Sequence, residues 1–166
     1  RLNYGIFALH AALMALFAAA LNELGSVVGD GSFLALARSG DGSAVALAER
    51  LAAIPTWADR SPYDGAVVPF FKRAQLAAAD LRLQGLAPAA DLGRLTLFAD
   101  NLVPHVLRLD GVLEFDGELV ARIDAGELIE HDSPEEVEMR ACALHAVELL
   151  VAAHGSTTAT AVDNIL

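Results

Sequence analysis

A strong helix-start signal stands at residues 133–136, which read Ser-Pro-Glu-Glu. The serine hydroxyl can cap a helix, the proline suits its first position, and Glu136 completes a capping box. Residues 139–151 are then apolar on most sides, which predicts a central core helix that Gly155 ends. Arg140 lies four residues after Glu136, so the two side chains can pair on one face of this helix.

Helix start and stop signals also recur along the rest of the chain. Ala, Leu and Val dominate and aromatic residues make up only 6%, which favours packed helices over a β-sandwich. Residues 56–68 contain Pro62 and Gly65 and are expected to form an irregular crossing segment. We therefore predict an all-α fold, in one compact domain over residues 1–166. Helices are expected at residues 5–24, 33–36, 44–53, 69–84 and 92–101, from Pro104 onward, at 117–125, and from Ser156 onward.

The longest apolar run, residues 6–21, approaches the length of a short transmembrane helix. It consists mainly of Ala, lacks flanking Trp and Lys or Arg anchors, and ends in Asn22-Glu23. We expect a buried core helix here, with a membrane span as the alternative.

Charge limits the possible partners. The net charge is -11, with 22 acidic and 11 basic residues, so stable binding to long DNA or RNA is not expected. A local Lys or Arg can still hold a single small anion. Cys142 is the only cysteine, which excludes an internal disulfide and agrees with a cytoplasmic location. No membrane partner is expected, and the sequence indicates no oligomeric state.

Metal and cofactor motifs are missing from the sequence. The five histidines form no pair at metal-ligand spacing on one helix. No glycine-rich phosphate loop lies between a strand and a helix, and no nucleophile-elbow motif is present. We therefore predict neither a bound metal nor a cofactor.

Asp100 is the first candidate for chemistry. Val103 precedes Pro104 and is biased away from helical geometry, so the preceding helix should end near Asn101. Asp100 then falls in a last helical turn, where the dipole disfavours a carboxylate by about 0.3–1 kcal/mol. With Pro104 at the first helical position, Val103 rather than Asp100 would cap the next helix. Asp100 is therefore a candidate for work on a ligand; the alternative is an Asx-turn that only shapes the break.

Two further positions are candidates with simpler alternatives. Asp163 lies in the last predicted helix, where the residues alone favour a solvated helical acid. Lys72-Arg73 stands near a helix N-terminus, where the dipole disfavours cations and an anion such as phosphate would relieve them. The alternative for this pair is an ion pair with Asp80 or another acid.

An ordered series of short segments lies at residues 70–75, 79–80, 95–100, 103–107, 111–113, 136–142, 146–149 and 163–166. Taken in order, these segments resemble motifs of the queuosine salvage family. The resemblance is dense over residues 67–152 and thin on both flanks.

Asn101-Leu102 departs from the family pattern, because relatives often have Tyr-Arg at that place. Near Leu13-Met14 the chain passes directly to a much later family helix. We expect a few dozen residues to be missing there, with others before Arg1 and after Leu166.

The resemblance implies a helical fold similar to DNA glycosylases and hydrolysis of queuosine 5′-phosphate to release queuine. It implies that Asp100 is the catalytic carboxylate beneath the ribose and that Phe98 stacks on or walls the base. Asp163 and Asn164 would read the polar edge or cationic side chain of the base, and Lys72 would hold the 5′-phosphate. Two alternatives stay open: an N-glycoside hydrolase for another nucleotide, and a non-catalytic helical module that binds a modified base.

Overall fold

The computed structural model describes the backbone of residues 4–166 and the side chains of residues 10–166. Two short 3-10 helices, Pro55–Trp57 and Leu92–Arg94, connect longer elements. The α-helices of this range are α1 (Tyr4–Val28), α2 (Phe33–Arg38), α3 (Ala44–Leu51), α4 (Lys72–Leu83), α5 (Leu102–Leu109), α6 (Gly117–Asp124), α7 (Pro134–His154) and α8 (Ala159–Asp163).

The expected all-α fold is wrong, because the segment between α3 and α4 forms a β-hairpin. Strands β1 (Arg60–Tyr63) and β2 (Ala66–Pro69) pair antiparallel. Asp64 and Gly65 make the turn with φ angles of 46° and 75°, and Asp-Gly is a favoured pair for two-residue hairpin turns. Pro62 argued against a strand, but a two-stranded sheet consists of edges, where proline is tolerated. Helices still make up 59% of the structure, and a likeness to DNA glycosylases is not shown.

The helix predicted at residues 92–101 is also wrong. Only Leu92–Arg94 is helical, as a 3-10 turn, and residues 95–100 are extended. Leu95 and Phe98 belong to one buried cluster, whereas Leu97 and Ala99 belong to a second. The segment therefore packs between two cores, and this tertiary packing overrides the local apolar pattern.

These two clusters form the interior. The first lies between α3 and α4 and includes Leu47, Leu51, Ala74 and Ala78. The second joins α5, α7 and the start of α8, through Val103, Leu107, Val137, Ala143, Val147 and Ala159. The predicted helix start at Ser133 is confirmed, since its hydroxyl accepts a hydrogen bond from the Glu136 amide. Helix α7 buries one face only, and Leu149 on its other face is 58% exposed.

Helix α1 differs from the expected buried core helix. Five large apolar side chains between residues 13 and 21 are 55% to 71% exposed, namely Leu13, Met14, Leu16, Phe17 and Leu21. Near its C-terminal end, Leu24 packs against the first core, and a carboxylate oxygen of Glu23 accepts a hydrogen bond from the Thr56 amide at 2.9 Å. Residues His10–Val28 have the length and the hydropathy, 1.7, of a membrane span, which is weak evidence for one helix near the N-terminus. The expected burial is wrong because an apolar pattern shows only that a helix favours an apolar environment. It does not show whether the rest of the described chain packs against that helix.

Asp91 connects the start of α3 to the chain that leads into the extended segment 95–100. Its carboxylate oxygens accept hydrogen bonds of 2.6 Å from the Ser43 hydroxyl and from the Ala44 amide. The Ser43 hydrogen bond is the main reason that the pKa of Asp91 lies below its usual value, and the Ala44 amide adds to it against the opposing effect of burial.

Asp91→Ala should lower the free energy of unfolding by about 1–3 kcal/mol, because it removes a charged acceptor from two donors. Urea denaturation at pH 7 measures this loss. Because the pKa of Asp91 is lowered in the folded state, its contribution is present above the unfolded-state pKa and disappears as the pH falls through the folded-state value. Glu49→Ala, at an exposed position of α3, should change stability by less than about 0.5 kcal/mol. Equal effects of the two substitutions would contradict the role given to Asp91.

Candidate functional site

A cleft of about 500 Å³ opens where the start of α4, the end of segment 95–100 and the start of α7 meet. Charged side chains of both signs line it. They are the acids Asp59, Asp100 and Glu136 and the bases Lys72, Arg73 and Arg140. These charged groups converge in one concave place, which makes the cleft the candidate small-molecule site.

Asp100 lies at the point where the extended segment turns into α5. Its Oδ1 accepts hydrogen bonds from the Leu102 amide at 2.8 Å and from the Val103 amide at 3.1 Å. The expectation that Val103 would cap this helix is therefore wrong. Pro104 occupies the third helical position, where the missing N–H would have had no partner within the helix. Asp100 sits at the positive end of α5, which favours an ionised carboxylate.

The second oxygen of Asp100 contacts Lys72. The Lys72 Nζ lies 2.8 Å from Asp100 Oδ2, with the two side chains 33% and 30% exposed. Burial alone would raise the pKa of Asp100, but the hydrogen bonds from Lys72 and from the two α5 amides outweigh it and lower the pKa. Lys72 thus has an acidic partner, Asp100 rather than Asp80. A carboxylate held ionised in a cleft can stabilise a developing positive charge or attack it.

Asp163, the last residue of α8, lies within electrostatic reach of Asp100 and Lys72. Burial raises the pKa of Asp163, and the negative charge of Asp100 raises it further against the effects of the Phe98 amide and the Lys72 charge. The structure therefore brings Asp100, Lys72 and Asp163 into one electrostatic neighbourhood. Two carboxyl groups whose pKa values shift in opposite directions are typical of sites that need one base and one acid.

Phe98 and Asn164 are placed differently from these charged residues. The Phe98 side chain is 5% exposed and packs in the first core. The Asn164 side chain donates a 2.8 Å hydrogen bond to the Thr160 carbonyl, at the end of α8. Like Asp163, neither residue lines the cleft, so the expected contacts of all three with the base stay predictions.

Arg140 is a component of the site that sequence reasoning underestimated. Its Nη2 lies 2.6 Å from Asp59 Oδ2 and its Nη1 lies 3.3 Å from Glu136 Oε1. Its Nε donates to the Ala99 carbonyl at 3.1 Å, and the guanidinium stacks 3.9 Å from the centre of the Phe70 ring. The predicted pairing of Glu136 with Arg140 is confirmed, but it is buried and it holds the residue next to Asp100.

Asp59 connects this guanidinium to Lys72. The oxygen that pairs with Arg140 also accepts a 3.0 Å hydrogen bond from the Lys72 amide. The Asp59 carbonyl accepts from the amides of Phe70 and Phe71 at 3.0 and 3.1 Å. One network therefore positions the backbone on both sides of the Lys72–Asp100 pair. Sequence reasoning missed Asp59 because it lies between a 3-10 helix and β1 and belongs to no periodic pattern.

Gln75 links α4 to the extended segment through side-chain hydrogen bonds to backbone groups. Its Oε1 accepts a 2.8 Å hydrogen bond from the Thr96 amide, and its Nε2 donates to the Phe70 carbonyl at 3.0 Å. Gln75 is 7% exposed, so these bonds satisfy backbone groups that water does not reach.

One group of side chains at the edge of the cleft has metal-ligand chemistry. His131, Asp132 and Glu136 offer ligand atoms within 4.8 Å of one another. Glu136 Oε1 already accepts from Arg140, so a cation there would lie beside a guanidinium. The expectation that no metal is bound stays a prediction.

Arg140→Met should lower the free energy of unfolding by about 3–5 kcal/mol, because it leaves the buried carboxylates of Asp59 and Glu136 without their cation. Urea denaturation measures the loss. Arg122→Met is the matched control, since Arg122 pairs with Glu127 and Glu135 but its side chain is 37% exposed. This control should cost less than about 1 kcal/mol. Similar losses in both variants would contradict the importance given to the Arg140 network.

Comparisons with known proteins agree on one family. A family model described as "Queuosine salvage protein" matches residues 9–165. A protein of Sphaerobacter thermophilus is 41% identical over 138 residues, which are 78% of this chain and 43% of that protein. A protein of Bos taurus is 33% identical over 138 residues, 78% of this chain and 40% of its own length. Both are named queuosine 5′-phosphate N-glycosylase/hydrolase.

The chain spans about two fifths of the length of these relatives. A third relative, from Schizosaccharomyces pombe, carries the same name and is 35% identical over 105 residues, 61% of this chain and 30% of its own length. The matched region includes the cleft with Asp100, Lys72 and Arg140.

Proposed function

Because the chain belongs to the queuosine salvage protein family, we propose that it contributes the catalytic cleft of an enzyme that hydrolyses queuosine 5′-phosphate and releases queuine. The observation that carries this proposal is the Lys72–Asp100 contact of 2.8 Å, which keeps a partly buried carboxylate ionised. Cleavage of an N-glycosidic bond needs such a charge, because positive charge builds on the ribose as the base departs.

In the proposed reaction the bond between ribose C1′ and the base nitrogen breaks, and its electron pair leaves with the base. Asp100 stabilises the resulting oxocarbenium-like sugar, or attacks it and is later displaced. Water supplies hydroxide to C1′ and a proton to the base, so the atoms balance. Queuine has a carbon at the place of guanine nitrogen 7, so protonation at that position cannot assist its departure.

The remaining roles follow the chemistry of each side chain. Asp163 is the better proton holder of the two carboxyl groups, because its pKa is raised whereas that of Asp100 is lowered. With Asn164, it is proposed to read the polar edge of the base, and Phe98 is proposed to wall the base. Lys72 lowers the pKa of Asp100, and it is also proposed to contact the 5′-phosphate.

A panel of nucleotides tests the substrate. The full-length protein should release free base from queuosine 5′-phosphate and not from guanosine or adenosine 5′-phosphate, as measured by chromatography. Release of a common base at a higher rate would instead identify an N-glycoside hydrolase for another nucleotide. Tight binding of queuosine 5′-phosphate without any product would identify a non-catalytic binding module.

Asp100→Asn should lower turnover by about 10²- to 10⁴-fold, because the amide keeps the shape of the side chain but removes its charge. The Asn oxygen can still accept from the α5 amides, so the fold should persist, as circular dichroism would show. Asp110→Asn, at the exposed end of α5, should leave turnover unchanged. Nearly normal base release by the Asp100 variant would remove the carboxylate from the mechanism.

Lys72→Met should move the acidic limb of the pH profile of kcat/KM to higher pH. In the wild-type protein the pKa of Asp100 is lowered, so the carboxylate stays ionised until the pH falls below its usual value of about 3.9. Without Lys72 the effect of burial opposes only the two α5 amides, and the pKa of Asp100 rises. The midpoint of the limb is the measured quantity, and an unchanged midpoint would separate Lys72 from the ionisation of Asp100.

A further inference from the structure

The three cations that line the cleft differ in their partners. Arg140 contacts two carboxylates, and Lys72 contacts Asp100. Arg73 donates from Nη1 to the Thr56 carbonyl at 3.0 Å, and no carboxylate of the described residues lies within ion-pair distance of it. Arg73 is therefore the cleft cation whose charge is not already neutralised by the protein.

The chemistry of Arg73 suits an anionic group. A guanidinium carries five N–H donors in a planar fork that matches two oxygens of a phosphate. One of these donors is occupied by the Thr56 carbonyl, and a carbonyl bond leaves the positive charge uncompensated. Arg73 is also the second residue of the twelve-residue helix α4, whose N-terminal end favours negative charge.

We infer that Arg73, rather than Lys72, is the principal binding residue for the 5′-phosphate of the substrate. The inference rests on the proposed function and deepens it. A phosphate that took the Lys72 ammonium would weaken the contact that keeps Asp100 ionised. A phosphate on Arg73 leaves that contact intact, because Lys72 can then stay with the Asp100 carboxylate, which acts on the ribose. Phosphate recognition and ionisation of the catalytic carboxylate are thereby divided between two adjacent side chains.

The same arrangement favours a mononucleotide over a polynucleotide. Arg73 is a single cleft cation without a carboxylate partner in the part of the chain that the structure describes, so it can bind one phosphate group. The chain as a whole carries a net charge of -11 and repels a phosphate backbone. Arg73 thus supplies a local exception to an acidic surface.

The test compares the nucleotide with its nucleoside. In the full-length wild-type protein, kcat/KM for queuosine 5′-phosphate should exceed that for queuosine, and Arg73→Met should lower this ratio by about 10- to 100-fold. The loss should come from the nucleotide, with the nucleoside rate nearly unchanged. Arg73→Lys should recover part of the ratio, because a point charge replaces the fork.

Arg82→Met is the matched control on the same helix. Its Nε donates to the Ala89 carbonyl, as Arg73 donates to a carbonyl, but it lies outside the cleft. This variant should keep the wild-type ratio. A preserved ratio in the Arg73→Met protein, or an equal loss in the Arg82→Met protein, would overturn the assignment.

A binding measurement separates this inference from the proposed reaction. Calorimetric titration with ribose 5-phosphate should show binding to the wild-type protein, about 10- to 100-fold weaker binding to the Arg73→Met protein, and weaker binding of ribose than of ribose 5-phosphate. If no substrate is cleaved but this pattern holds, the proposed reaction fails while the phosphate assignment stands. If substrate is cleaved but ribose 5-phosphate binds both proteins equally, the assignment to Arg73 fails.

Discussion

The site depends on the hydrogen bond between the Arg140 guanidinium and the Ala99 carbonyl. Residues 95–100 run extended between two hydrophobic cores, without a neighbouring strand to satisfy their backbone. Buried amides and carbonyls must find partners, and here side chains provide them. Arg140 donates to the Ala99 carbonyl, and Gln75 accepts from the Thr96 amide. An extended segment fixed in this way ends at Asp100 and presents its carboxylate to the cleft.

Burying the guanidinium carries a desolvation cost that its surroundings offset. Arg140 is 4% exposed, yet it meets two carboxylates, one carbonyl and the face of Phe70. Such a cluster is specific in its geometry even where its net contribution to stability is small, because each partner is costly to remove alone. Asp59 links this cluster to the start of α4, because its carboxylate accepts a hydrogen bond from the Lys72 amide. The network that holds the Lys72 backbone is therefore connected to the residue whose ammonium lowers the pKa of Asp100.

The sequence predicted what depends on local signals. Ser133 and Pro134 begin α7 as expected, and Gly155 ends it with a φ of 74°. The helix predicted over residues 95–100 was wrong, because a short apolar run does not show by itself whether it is helical or packs as a non-helical segment between two cores. Asp100 and Lys72 were each identified as candidates, but their contact joins positions 28 residues apart, which no local spacing predicts. Only the pair of Glu136 and Arg140 had a periodic signal.

Three of the family motifs lie far apart in the sequence but contact one another in the fold. Residues 70–75, 95–100 and 136–142 resemble separate motifs, yet each is bonded to another of the three. Lys72 and Gln75 of the first contact Asp100 and Thr96 of the second, and Arg140 of the third contacts Ala99. A substitution in any one of them therefore acts on the position or the charge of the same carboxylate. Three distant stretches of sequence are constrained together because they form one electrostatic unit around Asp100.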